Sequence, residues 1–304
     1  MPSRSPTIRN LFNTLVAVLG LNGALAADRP WLRITVPLAA EAAAGFQSPP
    51  PENGMTLWWG WDGPLGTPAA QIGVVMPTTS LWLGDTASDK SNLAIAQKLL
   101  ETQRDFDWVD ERSLASVLKL EGSGLKNLSG QSYRAIVVPS LRAISQAALD
   151  RLQAFAKAGG RVIFLGRTPT MVTDKTFLKA AAAPDLKWAL VESSGEFSAR
   201  VLEALPKPDV TLDQPCPPVK YQHRSWRDAD LYFFFNEGTD KQSCQARLTG
   251  TGQAQTWDAV SGRIETLAGA ISENGAARVP LVLEAHESKF ILVGPPPSRT
   301  ADGR

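Results

Sequence analysis

Histidine and cysteine are scarce in this chain. Only His223 and His286, and only Cys216 and Cys244, occur in 304 residues. Neither type falls between residues 68 and 205. That stretch therefore has no histidine for a Ser-His-Asp triad and no cysteine nucleophile backed by a histidine. Two isolated histidines without ligand-spaced partners give no metal pattern. Glycine-rich phosphate loops are missing too: there is no GxGxxG after a strand-like run and no GxxxxGK[ST], which removes the common nucleotide sites. No cofactor is expected. Charge of one sign is also lacking, since 31 Lys and Arg balance 30 Asp and Glu. No field draws nucleic acid or an anionic membrane.

Tryptophan and proline, by contrast, are plentiful, at 9 and 22. Rigid tryptophan rings suit sugar stacking, although core packing accounts for most of them. Residues 1–27 read as a secretory signal peptide. Arg4 and Arg9 form a basic stretch, Leu11 to Leu21 an apolar run too short to span a bilayer, and Ala24-Leu25-Ala26 a small-x-small cleavage site. The other reading is a buried N-terminal helix. Cleavage would leave a periplasmic or secreted protein, off the membrane. Residues 28–67 carry an Ala-rich patch, Pro49 to Pro51 and the cluster LWWGWDG, and read as an irregular linker or collar with at most one short helix.

Residues 68–205 have an α/β texture. Ile72 to Met76, Phe106 to Val109, Ala135 to Val138 and Arg161 to Leu165 are short apolar runs that read as buried strands. Helical spacing separates them over Asn92 to Thr102, Leu114 to Leu118 and Leu141 to Phe155, the last capped by Ser145 and ended at Gly159-Gly160. A further helix over Lys175 to Ala182, a strand over Trp188 to Val191 and a closing helix over Phe197 to Leu205 complete the expectation. It is a doubly wound parallel sheet of flavodoxin or glutamine-amidotransferase type.

Residues 206–218, PKPDVTLDQPCPP, hold five prolines and read as a linker unable to join a sheet. Residues 219–295 turn all-β. Seven short strands, from Val219–Trp226 to Lys289–Val293, are split by Gly, Asp and Ser turns and predict an antiparallel β-sandwich. Residues 296–304 read as a disordered tail. Cys216 and Cys244 flank the strand Leu231–Phe235 and could meet across neighbouring strands; the sequence leaves their pairing open.

Two candidate sites follow from the residues. Asp110 and Glu111 lie at the end of the second strand, where sheets of this type bind ligands, and Asp105 and Asp107 would share one face of that strand. They could serve as paired carboxylates or hold calcium, or form a solvated edge with Asp110 capping a helix. Trp58, Trp59 and Trp61 could form a sugar-stacking platform, or cover the edge of the following unit.

The segment IGVVMPTTSLWLG (Ile72 to Gly84), then DFDWVDE, then YRAIVVPSLRAIS through FAKAGGRVIFLGRTP, resembles the region downstream of the catalytic barrel in the large bacterial α-L-rhamnosidases of glycoside hydrolase family 106. HRSWRDADLYFFFNEG, WDAVSGRIETL and PLVLEAHESKFILVG are similar to the sandwich that follows there. The resemblance runs from Gln71 to Val293. It implies that the hydrolytic carboxylates and an associated calcium belong to an upstream (β/α)₈ barrel, which needs roughly 250 residues. Fewer precede Gln71, and no position here matches those carboxylates. The expectation is a non-catalytic C-terminal part of an α-L-rhamnosidase-like glycoside hydrolase, structural or glycan-associated. Its partner would be a catalytic (β/α)₈ chain or a rhamnose-containing glycan. The competitors are a hydrolase in its own right, using Asp107, Asp110 or Glu111, and a carbohydrate-binding module using the three tryptophans.

Overall fold

In the computed structural model, residues 36–47, 66–173, 180–181 and 183–296 are described. The signal-like segment, Trp58, Trp59 and Trp61 lie outside them, as does nearly all of the expected tail.

The first described helix is Ala39–Gln47. Then come β1 (Thr67–Pro68), β2 (Ile72–Met76), helices Thr78–Trp82 and Thr86–Glu101, β3 (Phe106–Asp110) and helix Glu111–Ser116. A small antiparallel meander follows: β4 (Lys119–Glu121), β5 (Gly124–Lys126) and β6 (Ser132–Tyr133). After it come β7 (Ala135–Val138), β8 (Ala143–Ser145), helix Gln146–Lys157, β9 (Arg161–Leu165), β10 (Met171–Thr173), β11 (Ala180–Ala181), β12 (Leu190–Glu192) and helix Ala199–Ala204.

Five of these strands form one parallel sheet in the order β12-β9-β7-β2-β3. Its three central strands, β9, β7 and β2, are buried on both faces, and β7 shows why. Successive side chains point to opposite sides of a strand. Ile136 and Val138 join a cluster with Leu114, Leu152, Phe155 and Phe164, while Ala135 and Val137 join Ile95, Leu99, Ile163 and Val201 on the other face. Gln146–Lys157 carries Ala148, Leu149, Leu152 and Phe155 inward at helical spacing. The chain leaves this helix through Gly159, at φ 94°, and Gly160. A β-carbon on Gly160 would lie 2.0 Å from the fully buried Phe155 ring. Gly160→Ala is therefore expected to cost about 2 kcal/mol through overpacking, measured by urea unfolding.

The all-β part begins early. β13 (Val210–Leu212) lies inside the proline-rich stretch and pairs with β16 (Gln242–Thr249). The remaining strands are β14 (Val219–Ser225), β15 (Asp230–Asn236), β17 (Gln253–Trp257), β18 (Ile264–Thr266), β19 (Ile271–Glu273), β20 (Ala276–Leu283) and β21 (Ser288–Gly294). They form two antiparallel sheets, β1-β14-β15-β21-β17-β18 and β13-β16-β20-β19. Tyr221, Tyr232, Phe234, Ile291 and Val293 of one sheet share a core with Ala246, Leu248, Val279, Leu281 and Leu283 of the other. Helix Ala39–Gln47 packs Ala39, Ala42, Ala43 and Phe46 against the opposite side of the larger sheet, around Trp226, Trp257 and Leu292. Those two tryptophans are core residues.

The fold class expected from the sequence needs correction. A doubly wound flavodoxin- or amidotransferase-like sheet followed by a β-sandwich does not describe this chain. Its described residues form five sheets, most of their strand pairings are antiparallel, and only one sheet is wholly parallel. The expectation assumed a helical crossover after every strand. Instead residues 119–133 fold back on themselves as the meander, and β10 pairs with β8 on one side and β11 on the other in a small mixed sheet. Leu141 and Ile144, assigned to a helix stripe, precede the helix; Ile144 lies in β8. Ala180 and Ala181, assigned to a helix, are a strand. The proline-rich stretch also joins a sheet, because its prolines flank Val210–Leu212 and leave those amides free to donate.

Candidate functional site

The strand-end carboxylates each meet the protein's own donors. Glu111 is buried in the first turn of its helix. Its Oε1 accepts from the Thr79 N–H at 2.9 Å, and its Oε2 accepts from the Thr79 hydroxyl at 2.9 Å and the Ser145 N–H at 2.8 Å. One carboxylate thus ties the ends of β2, β3 and β8 together. Ser145 is the N-cap residue of its helix, but its side chain makes no cap bond. Asp110 is the N-cap of the helix Glu111–Ser116 and accepts from the Arg112 N–H, the Ser113 N–H and the Ser113 hydroxyl. These donors outweigh its burial and hold its carboxyl below the usual range. Asp107 accepts from the Gln131 amide and from the Tyr133 hydroxyl at 3.0 Å.

A second cluster lies where the parallel-sheet part meets the all-β part. Alternation along β14 turns Tyr221 and His223 inward. His223 pairs in register with Tyr232 of β15, and their rings stack 4.2 Å apart. Asp209, just before β13, lies 2.5 Å from His223 Nδ1, and Asp230, opening β15, lies 2.8 Å from Nε2. The Tyr221 hydroxyl donates to Asp209 at 2.5 Å and accepts from the Asp105 N–H at 3.3 Å. The His223 N–H donates to the Asp105 carboxylate at 3.4 Å. Asp105 immediately precedes β3, so it carries the network into the parallel-sheet part.

The electrostatics follow from burial. Burial alone would depress the His223 pKa, but the hydrogen bonds and charges of Asp209 and Asp230 outweigh it and hold the imidazolium to about 9. Asp209 is held low: burial opposes ionisation, and the His223 hydrogen bond and charge overcome it. Asp105 has no cation partner in this network. Burial, then the charges of Asp107 and Asp209, push its carboxyl up to about 7 against the His223 and Phe106 N–H groups. Both His223 ring nitrogens are engaged by carboxylates, so the ring acts as a fixed cation. The cleft that Asp105 and Asp209 line with Arg104 and Pro208 holds about 20 Å³, room for roughly one water molecule.

Of the carboxylates the sequence grouped, Asp110 and Glu111 sit together where β3 ends, whereas Asp107 is the second residue of β3 and lies towards its other end, beside Gln131 and Tyr133. The sequence did not reveal the Asp209–His223–Asp230 cluster, whose members come from three strands or their leads. The signal was present, however. A histidine at an inward position of an alternating strand must find polar partners.

The family model for alpha-L-rhamnosidase, Glyco_hydro_106, matches residues 82–270. No curated protein matches the chain. Among solved structures, a rhamnosidase from Novosphingobium sp. PP1Y is similar at 20% identity with a TM-score of 0.53, over 79% of this chain and 24% of that one. This chain thus spans about a quarter of that enzyme's length, and the likeness is one of fold. An exo-carrageenase of family GH42 from Bacteroides ovatus is similar at 14% identity, TM-score 0.48, over 73% of this chain and 29% of its own. A beta-galactosidase from Bacillus circulans sp. alkalophilus is similar at 10% identity, TM-score 0.49, over 75% and 42%.

Proposed function

Because this chain belongs to the alpha-L-rhamnosidase family, glycoside hydrolase family 106, we propose that it acts as a non-catalytic part of a rhamnosidase-type glycoside hydrolase, with a structural or glycan-associated role in polysaccharide breakdown. One observation carries this reading. Glu111 and Asp110 give both carboxylate oxygens, and Asp107 its Oδ2, to the protein's own amides and hydroxyls. Glycoside hydrolysis needs two carboxyl groups facing a sugar from opposite sides, about 5–10 Å apart. A carboxylate clamped between Thr79 and Ser145 is positioned to brace strand ends, not to meet a glycosidic oxygen. The junction cluster is likewise spoken for, with a cleft too small for a pyranose ring.

The partner this reading implies is a catalytic (β/α)₈ unit or a rhamnose-containing glycan. A periplasmic or secreted location goes with it, supported by the basic and then apolar start of the sequence. The test is an aryl α-L-rhamnoside assay on the purified chain. Release of the aryl alcohol is expected to equal that of a heat-denatured control. Turnover that Asp107→Asn or Asp110→Asn abolishes, with circular dichroism unchanged, would overturn the proposal and restore the strand-end carboxylates as catalytic.

A further inference from the structure

We propose that Cys216 and Cys244 are a disulfide site, whose oxidation fastens the proline-rich strap at residues 206–218 to strand β16. The inference does not depend on the role proposed for the whole protein.

Register supplies the geometry. β13 pairs with β16 so that Leu212 faces Ala246. The pairing runs on past the strand: the Asp213 N–H donates to the Gln245 carbonyl at 3.0 Å, and the Gln245 N–H returns to the Asp213 carboxylate at 2.9 Å. The Gln214 side chain then donates to the Ser243 carbonyl at 3.0 Å. Continued, this register sets residue 214 opposite Cys244 and Cys216 opposite Gln242, and the Cys216 thiol does donate to the Gln242 side chain at 3.1 Å. Cys216 and Cys244 are therefore diagonal cross-strand neighbours on one face, and their side chains meet there, the Cys244 thiol donating a hydrogen bond to the Cys216 sulfur. Both point into the shared core at 4% and 6% exposure, and they belong to the same packed cluster. The two thiols are unjoined in the structure.

The strap has a reason to be fastened. Gln103, from the parallel-sheet part, is buried at φ 49°, a conformation costly for a residue with a β-carbon. Its side chain donates to the Val219 carbonyl at 3.3 Å and the Cys216 carbonyl at 3.5 Å. A bond at Cys216 thus holds the acceptors on which the parallel-sheet part docks.

The chemistry is thiol–disulfide exchange, with a disulfide compound as the oxidant. One cysteine thiolate attacks the oxidant's sulfur and expels a thiol. The other cysteine then displaces the remaining sulfur. The protein's two thiols become one disulfide, and the oxidant leaves as two thiols carrying the two electrons and two protons. In the folded chain burial raises both thiols, Cys244 to about 12 with the neighbouring Cys216 adding to it. Thiolate is scarce there, so the bond forms while the chain folds and is shielded afterwards.

The test is to refold the full chain in mixed reduced and oxidised glutathione, and in reductant alone. The glutathione sample is expected to yield a linked Cys216–Cys244 peptide and no titratable thiol after unfolding. Its Tm should lie higher than that of the reduced sample by on the order of 10 °C, because the link closes a long loop. The Cys216→Ser/Cys244→Ser double variant, refolded in glutathione, should melt with the reduced protein. The proposal fails if both thiols stay titratable after glutathione refolding. It fails equally if the linked protein melts no higher than the reduced one, or if the double variant matches the linked one.

Discussion

His223→Ala is expected to cost about 3–5 kcal/mol at pH 6, the penalty for stranding buried charges without their partner. The variant leaves Asp209 and Asp230 facing each other across an emptied ring site, and it removes the stacking on Tyr232. The pH dependence separates this effect from simple loss of packing. His223 is held to about 9, above its ordinary 6.5. The folded state therefore keeps a proton that the unfolded chain releases. Its stabilisation is fully present below pH 6.5 and is lost as pH rises through 9, a loss of about 3 kcal/mol. Asp105 works in the same direction lower down. Its carboxyl is raised from 3.8 to about 7, so the fold loses stability as pH rises between those values. Urea unfolding from pH 5 to 10 should show the native protein weakening across the whole range. His223→Ala should be weaker at pH 6 and nearly flat between pH 7 and 9.5. A variant that kept the native slope there would show that His223 does not carry the charge.

Glu111→Gln is expected to lower stability by about 3 kcal/mol, through desolvation of donors left without an acceptor. The change is nearly isosteric, so packing is preserved and the loss isolates the hydrogen bonds. Glu111 presents both oxygens to donors: Thr79 N–H on one, the Thr79 hydroxyl and Ser145 N–H on the other. An amide has one oxygen. Whichever way it turns, its NH₂ meets a backbone N–H at a buried site. The Tm of Glu111→Gln should fall by roughly 6–12 °C for a protein of this size. A variant as stable as the native protein would mean that Glu111 is free to do something else, and would reopen a catalytic role.

Several elements are legible in their own residues. Ile72–Met76, Ala135–Val138, Arg161–Leu165, Gln253–Trp257 and Ala276–Leu283 begin and end where their apolar runs and turn residues place them. Each of these strands is specified by its own composition. The helix Thr86–Glu101 starts earlier than its apolar positions suggest, because Ser88 and Asn92 are buried along with Ile95, Ala96 and Leu99. The meander over residues 119–133 and the pairing of β10 with β8 and β11 are not legible in this way, since very short strands exist only through their neighbours.

The amino-acid order alone determined where stretches of backbone are extended or helical, and which side of each is apolar, because those properties depend on residues a few positions apart. It also determined the family, through motifs that keep their succession along the chain. Only the tertiary structure decided the sheet directions and the meeting of Asp209, His223, Asp230 and Asp105. It likewise decided the use of Glu111 as a brace and the diagonal placement of Cys216 and Cys244. Those features join residues distant in the chain, and the energy of a buried charge or thiol is set by what packing brings beside it.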